Sequence, residues 1–159
     1  MIDVFLLLGS NLGDREAFLQ KAIDFIADDL GPIEKKSSVY ETQAWGKTDE
    51  PSYLNQVVQI KTRFPAEQVL GKILNIENLM GRVREEKWGS RIIDIDILFY
   101  GLDIIASHGL TVPHPELQKR MFTLAPLSEI APDLEHPILK KSIFELKNEL
   151  KDNLIVKKL

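Results

Sequence analysis

Hydrophobic and polar positions alternate most regularly in the stretch 93–99. Every second residue there is Ile or Phe, which is the period-two pattern of a strand with one buried face. Asp94 and Asp96 then project together from the opposite face, and Cβ atoms two residues apart on a strand lie roughly 6 to 7 Å from each other. The pattern therefore predicts a strand that directs two neighbouring carboxylates toward a common point.

The hydrophobic pattern upstream predicts three further strands and two amphipathic helices. The strands are predicted at 2–8, 33–42 and 53–64, and the first is apolar enough to be covered on both faces. A helix follows the first strand, with Asn11 or Asp14 as its N-cap, and a second helix runs from Pro65 to Gly81. The order is therefore β-α-β-β-α-β.

Downstream of residue 100 the pattern is less regular. It predicts a short return strand at 104–106, an extended segment around His114 and a short helix that begins at 120–122. It also predicts a loop with a helical turn at 125–134 and a terminal amphipathic helix at 142–150. The whole chain thus predicts an α+β fold of the ferredoxin-like type, with an irregular and helical C-terminal extension. Helices would cover one face of an antiparallel sheet, and we expect the other face to bind ligands.

Composition limits the classes of protein to which this chain can belong. We expect residues 1–159 to form a single domain, because 159 residues with 44% hydrophobic content can bury a self-sufficient core. A net charge of −4 argues against nucleic-acid and membrane partners. The chain has no cysteine, no signal-peptide pattern and no apolar run of membrane-spanning length. We expect a cytoplasmic monomer that acts on small molecules.

Local charge stands out against this acidic background in the segment 82–91, just before the two aspartates. Four basic and two acidic residues leave it with a charge of +2, namely Arg82, Arg84, Lys87 and Arg91 with Glu85 and Glu86. Oxygen ligands favour Mg²⁺ or Mn²⁺, which accept substrate phosphates as further ligands. Arginines beside such a pair favour a polyphosphate substrate. The alternative is an ordinary strand with two solvated aspartates after a polar loop.

Other candidate positions allow two interpretations each. The glycine-rich turn 9–13 could cradle a phosphate or simply turn the chain, and it lacks the Lys-Ser/Thr of a P-loop. Asn55, beside Tyr53, could hydrogen-bond a planar heterocycle or satisfy a turn. Glu77 lies on an apolar helix face, so it either anchors an arginine of the next loop or faces the site. His114 could be a surface residue or a donor to phosphate, and Arg120 a further phosphate contact.

The segment 87–98 resembles the signature of the 6-hydroxymethyl-7,8-dihydropterin pyrophosphokinases of folate biosynthesis. Four further blocks are similar to that family, in its order and spacing: 9–13, 53–55, 81–84 and 110–115. The resemblance implies transfer of the terminal diphosphate of ATP, the co-substrate, to the hydroxymethyl oxygen of the reduced pterin, giving AMP. No catalytic triad or cysteine is needed, because such transfer relies on in-line positioning and charge neutralisation.

The resemblance also implies roles for individual residues. Asp94 and Asp96 would hold two Mg²⁺ ions, and Asp96 would accept the hydroxyl proton or lower the hydroxyl pKa through its metal. The implied catalytic residues are Arg82, Arg91 and Asp96. The implied ATP-binding positions are Arg84, Lys87, the backbone of Ile97, Thr111, His114 and Arg120. The implied pterin-binding residues are Thr42, Gln43, Trp45, Tyr53, Asn55, Trp88 and Phe122.

The chain departs from the family pattern at four positions that concern ATP affinity. Leu74 stands where some members carry a polar nucleotide contact, and Lys87 stands where arginine is frequent. Lysine cannot form the planar bidentate fork of arginine. Pro115 replaces a residue that is often aromatic, and Gly109 one that is sometimes basic.

Two competing functions remain at this point. The protein could transfer a phosphoryl or nucleotidyl group from ATP to another small alcohol, in which case Tyr53, Asn55 and Phe122 need not match a pterin. The sheet could instead serve as a single-strand RNA-binding or ligand-regulated module. Its strands lack the paired surface aromatics of RNA-binding sheets and the net charge is negative, so the sequence favours the enzyme.

Overall fold

The computed structural model describes residues 1–42, 52–81, 92–151 and 155–159. In chain order its elements are β1 (Ile2–Ser10), α1 (Arg15–Asp29), β2 (Ile33–Lys36), β3 (Tyr40–Thr42), β4 (Tyr53–Thr62), α2 (Ala66–Leu79), β5 (Asp94–Tyr100), β6 (Ile105–Ser107), β7 (Leu110–Val112), a 3-10 helix (Leu117–Lys119), α3 (Met121–Ile130), α4 (Ile143–Glu149) and β8 (Val156–Lys158).

The main sheet has the strand order β5-β1-β4-β3-β8, and β2 also pairs with β4. Every pairing in it is antiparallel. Strands β6 and β7 form a separate antiparallel pair. The predicted combination of an antiparallel sheet with helices is therefore confirmed.

The strand predicted over 33–42 is divided in two around Ser37. The hydroxyl of Ser37 donates to the carbonyl of Ser38 at 2.7 Å and accepts the N–H of Val57 at 3.0 Å. The N–H of Ser37 donates to the carbonyl of Val57 at 2.9 Å. Because the serine side chain takes over one backbone bond, the ladder is interrupted here without leaving β4 unpaired.

The two faces of β1 pack against different helices. Val4, Leu6 and Leu8 belong to the core cluster that contains residues of α1 and α2. Phe5 and Leu7 point the other way, into a second cluster with residues of α3 and α4. The second face was expected to be open for ligands, but the C-terminal extension covers part of it. Short apolar helices bury whichever sheet face lies nearest, and the sequence does not specify that face.

Helix α1 begins as predicted, with Asp14 as its N-cap. The carboxylate of Asp14 accepts the N–H of Ala17 at 3.2 Å. Helix α3 begins where a short helix was predicted, but it runs on through Pro126 to Ile130, where a loop with one helical turn was expected. Within the described ranges, no helix has the length and apolar character that crossing a membrane requires.

Candidate functional site

The aspartate pair lies on one face of β5, as the alternation predicted. Asp94 pairs with Gly9 of β1 and Asp96 pairs with Leu7, so both side chains share the face of Leu7. The intervening Ile95 is 5% exposed and belongs to the core on the other face, whereas both aspartates are half-buried. The two carboxylates are therefore adjacent and accessible from the same side of the sheet.

A row of paired residues crosses the sheet from this aspartate pair. Asp94 pairs with Gly9, Gly9 with Asn55 of β4, and Asn55 with Tyr40 of β3. Neighbouring strands are about 4.8 Å apart, so the backbones at Asp94 and Asn55 are separated by roughly 10 Å. Gly9 fills none of that interval, and a Cβ placed on it would lie 2.9 Å from Nδ2 of Asn55. The row thus lacks a side chain at Gly9, and the Asn55 amide reaches into the gap that this leaves, toward the strand that carries Asp94.

The predicted pterin-binding residues of β3 and β4 are brought together at the far side of this gap. Thr42 pairs with Tyr53, and Asn55 lies two residues further along the same face of β4. Asn55 is 5% exposed, and its Nδ2 donates to the carbonyl of Leu8 at 3.3 Å. The hydroxyl of Thr42 is buried and has no hydrogen-bond partner among the residues that the structure describes. A buried unpaired hydroxyl is a candidate ligand contact, because leaving it unpaired is costly.

His114 is held beside the aspartate strand. Its backbone N–H donates to the carbonyl of Leu98 in β5 at 3.0 Å, and its Nδ1 accepts the N–H of Glu116 at 3.1 Å. Burial, reinforced by the positive charge of Arg120 and opposed by Glu116 and Asp94, lowers the pKa of His114 below its usual range. A neutral ring with Nδ1 as acceptor carries its proton on Nε2, which makes it a hydrogen-bond donor.

Arg120 and Phe122 stand together at the start of α3. The guanidinium carbon of Arg120 lies 5.6 Å from the centre of the Phe122 ring, within cation–π range. Phe122 also packs against the second core cluster, which includes Leu7, the partner of Asp96. This places an aromatic ring and a cation on the same face of the sheet as the aspartate pair.

The structure also describes three other positions that the sequence singled out. Thr111 is exposed on β7, and Ile97 is buried on β5, where its backbone pairs with Leu6. Leu74, one of the departures from the family pattern, is 37% exposed on α2. The remaining predicted site residues lie outside the described residues: Gln43, Trp45, Arg82, Arg84, Lys87, Trp88 and Arg91.

Sequence reasoning did not identify one buried contact of Glu77, and the arginines of the following loop, one of which it was expected to anchor, lie outside the described residues. Glu77 is 1% exposed, and its carboxylate accepts the N–H of Ile95 at 2.9 Å. This bond joins α2 to the residue between the two aspartates. Only the unusual placement of an acidic residue on an apolar helix face signalled a special role, and the backbone partner, 18 residues away, gave no signal of its own.

An open cavity of about 450 Å³ lies at the opposite end of this sheet face, near Asp3, Phe5, Gln59 and Gly101. None of the residues lining it is a predicted site residue. Phe5 is the lining residue of β1 nearest to Gly9, so Leu6, Leu7 and Leu8 separate the cavity from the gap at Gly9. The chemistry-bearing residues therefore define the candidate site better than cavity size does.

The site lies at one end of an antiparallel α+β sheet, and the comparisons identify its class. The family model of 7,8-dihydro-6-hydroxymethylpterin-pyrophosphokinase (HPPK) matches residues 5–132. The chain belongs to this family, and the predicted membership and enzyme class are confirmed.

Named relatives agree with the family match. The chain is 46% identical over 149 residues to the 2-amino-4-hydroxy-6-hydroxymethyldihydropteridine pyrophosphokinase of Aquifex aeolicus, covering 94% of this chain and 92% of that protein. It is 41% identical over 132 residues to the enzyme of the same name from Bacillus subtilis, covering 82% and 79%.

Solved structures support the fold. An HPPK-DHPS of Plasmodium falciparum, crystallised with pterin and p-hydroxybenzoate, matches with a TM-score of 0.76 at 19% identity. That match covers 93% of this chain and 41% of the Plasmodium chain. An HPPK-DHPS in complex with substrates gives a TM-score of 0.75 at 16% identity, covering 92% and 43%. The chain thus spans less than half of these longer proteins.

Proposed function

We propose that this protein transfers the terminal diphosphate of ATP to the hydroxymethyl oxygen of 6-hydroxymethyl-7,8-dihydropterin, giving AMP and the pterin diphosphate, in folate biosynthesis. Family membership supports the reaction. The observation that supports an assignment to particular residues is the row from Asp94 across Gly9 to Asn55, because the carboxylates of β5 and the amide of Asn55 share one face of the sheet, two strand spacings apart.

The pterin end of the site comprises the residues beyond Gly9. Asn55 offers an amide, whose donor and acceptor suit a planar heterocycle, and the buried hydroxyl of Thr42 is placed to gain a partner. Tyr53 pairs with Thr42, and Phe122 supplies a ring for stacking. We propose that these four residues, together with Gln43, Trp45 and Trp88, bind the pterin.

The phosphate end comprises the residues around β5. We propose that Nε2 of His114 donates to a phosphate oxygen as a neutral group, since its Nδ1 already accepts the N–H of Glu116. Arg120, whose charge acts on His114, adds a cation there. Arg82 and Arg91 would neutralise the transferring phosphates, and Arg84, Lys87, Thr111 and the backbone of Ile97 would bind the rest of ATP.

The donor set of β5 fits magnesium. Among the described residues no group of three or more His, Cys, Asp or Glu side chains is placed to hold a metal. Mg²⁺ needs no such group, because it retains several waters and takes substrate phosphates as ligands. Asp94 and Asp96 are half-buried, adjacent and aligned, and we propose that they hold two Mg²⁺ ions. Bound magnesium would neutralise charge on the phosphate oxygens.

We propose that Asp96 accepts the proton of the attacking hydroxyl or, through its metal, lowers the pKa of that hydroxyl. Asp96 pairs with Leu7, two residue pairs further along β5 than Asp94, which pairs with Gly9. The other site residues would hold the hydroxymethyl group and the terminal diphosphate in line and exclude water from the reacting groups.

We further propose that residues 1–159 form one domain and act as a monomer in the cytoplasm. The strand order β5-β1-β4 with β2 and β3 beyond β4 supports the ferredoxin-like interpretation of the fold, since each half of the β-α-β-β-α-β chain contributes alternating strands.

Product analysis tests the proposed function. The protein is incubated with ATP, Mg²⁺ and 6-hydroxymethyl-7,8-dihydropterin, and the products are identified by mass. We expect AMP and a pterin that has gained two phosphate groups. A pterin with one added phosphate together with ADP, or an AMP adduct with pyrophosphate, would contradict the proposal, and a panel of other small alcohols in the same assay would identify a different acceptor.

A further inference from the structure

Arg15, the first residue of α1, joins two parts of the chain that are distant in sequence. Its Nη1 donates to Oε2 of Glu41 at 3.0 Å and to the carbonyl oxygen of Ser52 at 2.8 Å. The side chains of Arg15 and Glu41 are 28% and 32% exposed, so the ion pair is only partly open to water. Both bonds are charge-assisted, which makes them stronger than bonds between neutral groups.

The two partners of Arg15 flank the residues of the proposed pterin end. Glu41 directly precedes Thr42 in β3, and Ser52 directly precedes Tyr53 in β4. Thr42 and Tyr53 face each other as the last pair described between these strands. One guanidinium therefore fixes the ends of both strands at the point where they present Thr42 and Tyr53.

Strand β3 needs such support because it is only three residues long. Side chains on its two faces are held by different helices. The hydroxyl of Tyr40 donates to Glu129 of α3 at 2.7 Å on the face that carries Asn55, and Glu41 binds Arg15 of α1 on the other face. Losing Arg15 would remove the side-chain bond of Glu41, and β3 would then be held by Tyr40 and by its backbone pairs with β4 and β8.

We propose that Arg15 is a positioning residue for the pterin end of the site. It acts through Glu41 and Ser52 to keep Thr42 and Tyr53 in register, without contacting substrate. This inference rests on the proposed function, since it deepens the pterin end of that same site. The effect should be selective for the pterin over ATP, because the Arg15 guanidinium bonds to Glu41 and Ser52 at the ends of β3 and β4. Asp94 and Asp96 lie on a different strand, β5.

The test compares steady-state kinetics of the full-length wild type with Arg15→Ala, Arg15→Lys and Glu41→Gln. Lys61→Ala is the matched control, because Lys61 forms an ion pair with Asp3 at 3.9 Å at the opposite end of β4. We expect Arg15→Ala to raise KM for the pterin by about three- to tenfold, with kcat and KM for ATP within about twofold of wild type. Arg15→Lys keeps the charge and should recover part of the loss.

Direct binding of the pterin, followed by its fluorescence in the presence of a non-hydrolysable ATP analogue, supplies a readout that does not need turnover. We expect the Kd of the pterin to rise in parallel with its KM, while Lys61→Ala matches the wild type. The midpoint of thermal unfolding is measured on every variant.

Several results would overturn the inference. An Arg15→Ala protein with unchanged KM and Kd for the pterin would show that Arg15 does not position the pterin-binding residues. Equal rises in the KM values of ATP and pterin, accompanied by a lower unfolding midpoint, would show a general structural role. If the wild type formed no AMP, the proposed function would fail on its own, and the pterin-binding measurement alone would decide the role of Arg15.

Discussion

The hydrogen bond between Glu77 and the backbone of Ile95 leads to a prediction that links helix packing to the aspartate pair. Replacing Glu77 with Ala removes the acceptor of a buried N–H whose oxygen partner lies at 2.9 Å. Leaving a buried donor unsatisfied costs about 1–3 kcal/mol, and the lost side-chain packing adds to this. We therefore expect Glu77→Ala to lower the free energy of unfolding by about 2–4 kcal/mol.

This loss should also change the response to magnesium, because Ile95 lies between Asp94 and Asp96. For a chain of this length, each kcal/mol lowers the unfolding midpoint by about 2–4 °C. Urea denaturation and thermal unfolding measure the stability, and initial rates over a Mg²⁺ titration measure the function. We expect Glu77→Ala to require a higher Mg²⁺ concentration for half-maximal rate, and Glu77→Gln, which keeps an acceptor oxygen, to stay within about 1 kcal/mol of wild type.

Glu67→Ala is the matched control, since Glu67 is an exposed carboxylate in the first turn of the same helix. If Glu77→Ala were as stable as Glu67→Ala and showed the same dependence on Mg²⁺, the proposed support of β5 by α2 would be refuted.

Two further predictions concern the gap at Gly9 and a buried histidine. A Cβ at Gly9 would lie 2.9 Å from Nδ2 of Asn55, so Gly9→Ala should displace this amide and raise KM for the pterin by about tenfold or more. The control is Gly71→Ala, whose Cβ would meet no atom within 4 Å and which should leave KM unchanged. Equal KM values for the two variants would contradict the role of Gly9. Burial lowers the pKa of His136 below 6.5, and its Nδ1 accepts the N–H groups of Ile138 and Leu139. Near that pH the unfolded chain then binds more protons than the folded chain, so the free energy of unfolding, measured in urea, should fall as the pH drops below about 6.5. The fall should be less steep in His136→Asn. The same dependence of unfolding free energy on pH in both proteins would be evidence against this.

Local patterns predicted the elements that depend on neighbouring residues. The alternation at 93–97 was sufficient to place Asp94 and Asp96 on one face, and the structure confirms it through their pairing with Gly9 and Leu7. Phe99, which was expected on the face of Ile95, lies instead in the second core cluster, because the register with β1 shifts between Phe5 and Leu6. The same is true of the cap at Asp14, because a helix N-terminus is satisfied by a side chain three residues away.

Contacts between distant residues could not be predicted in this way. The bond from Ile95 to Glu77 and the bonds from Arg15 to Glu41 and Ser52 depend on how helices dock on the sheet. Helical periodicity shows that a helix has an apolar face, but it does not identify the polar groups opposite that face. The gap at Gly9 likewise appears only when the register between three strands is known, because a lone glycine in a strand has several structural explanations.

The rate of AMP formation by Asp96→Asn at saturating ATP, pterin and Mg²⁺ tests the central claim most directly. The claim is that the two aspartates of β5 form the phosphate end of a diphosphate-transfer site. We predict that the rate falls by about a hundredfold or more, while Asp103→Asn, which alters an exposed carboxylate just beyond β5, keeps a rate within about twofold of wild type. Wild-type turnover by Asp96→Asn would contradict the account.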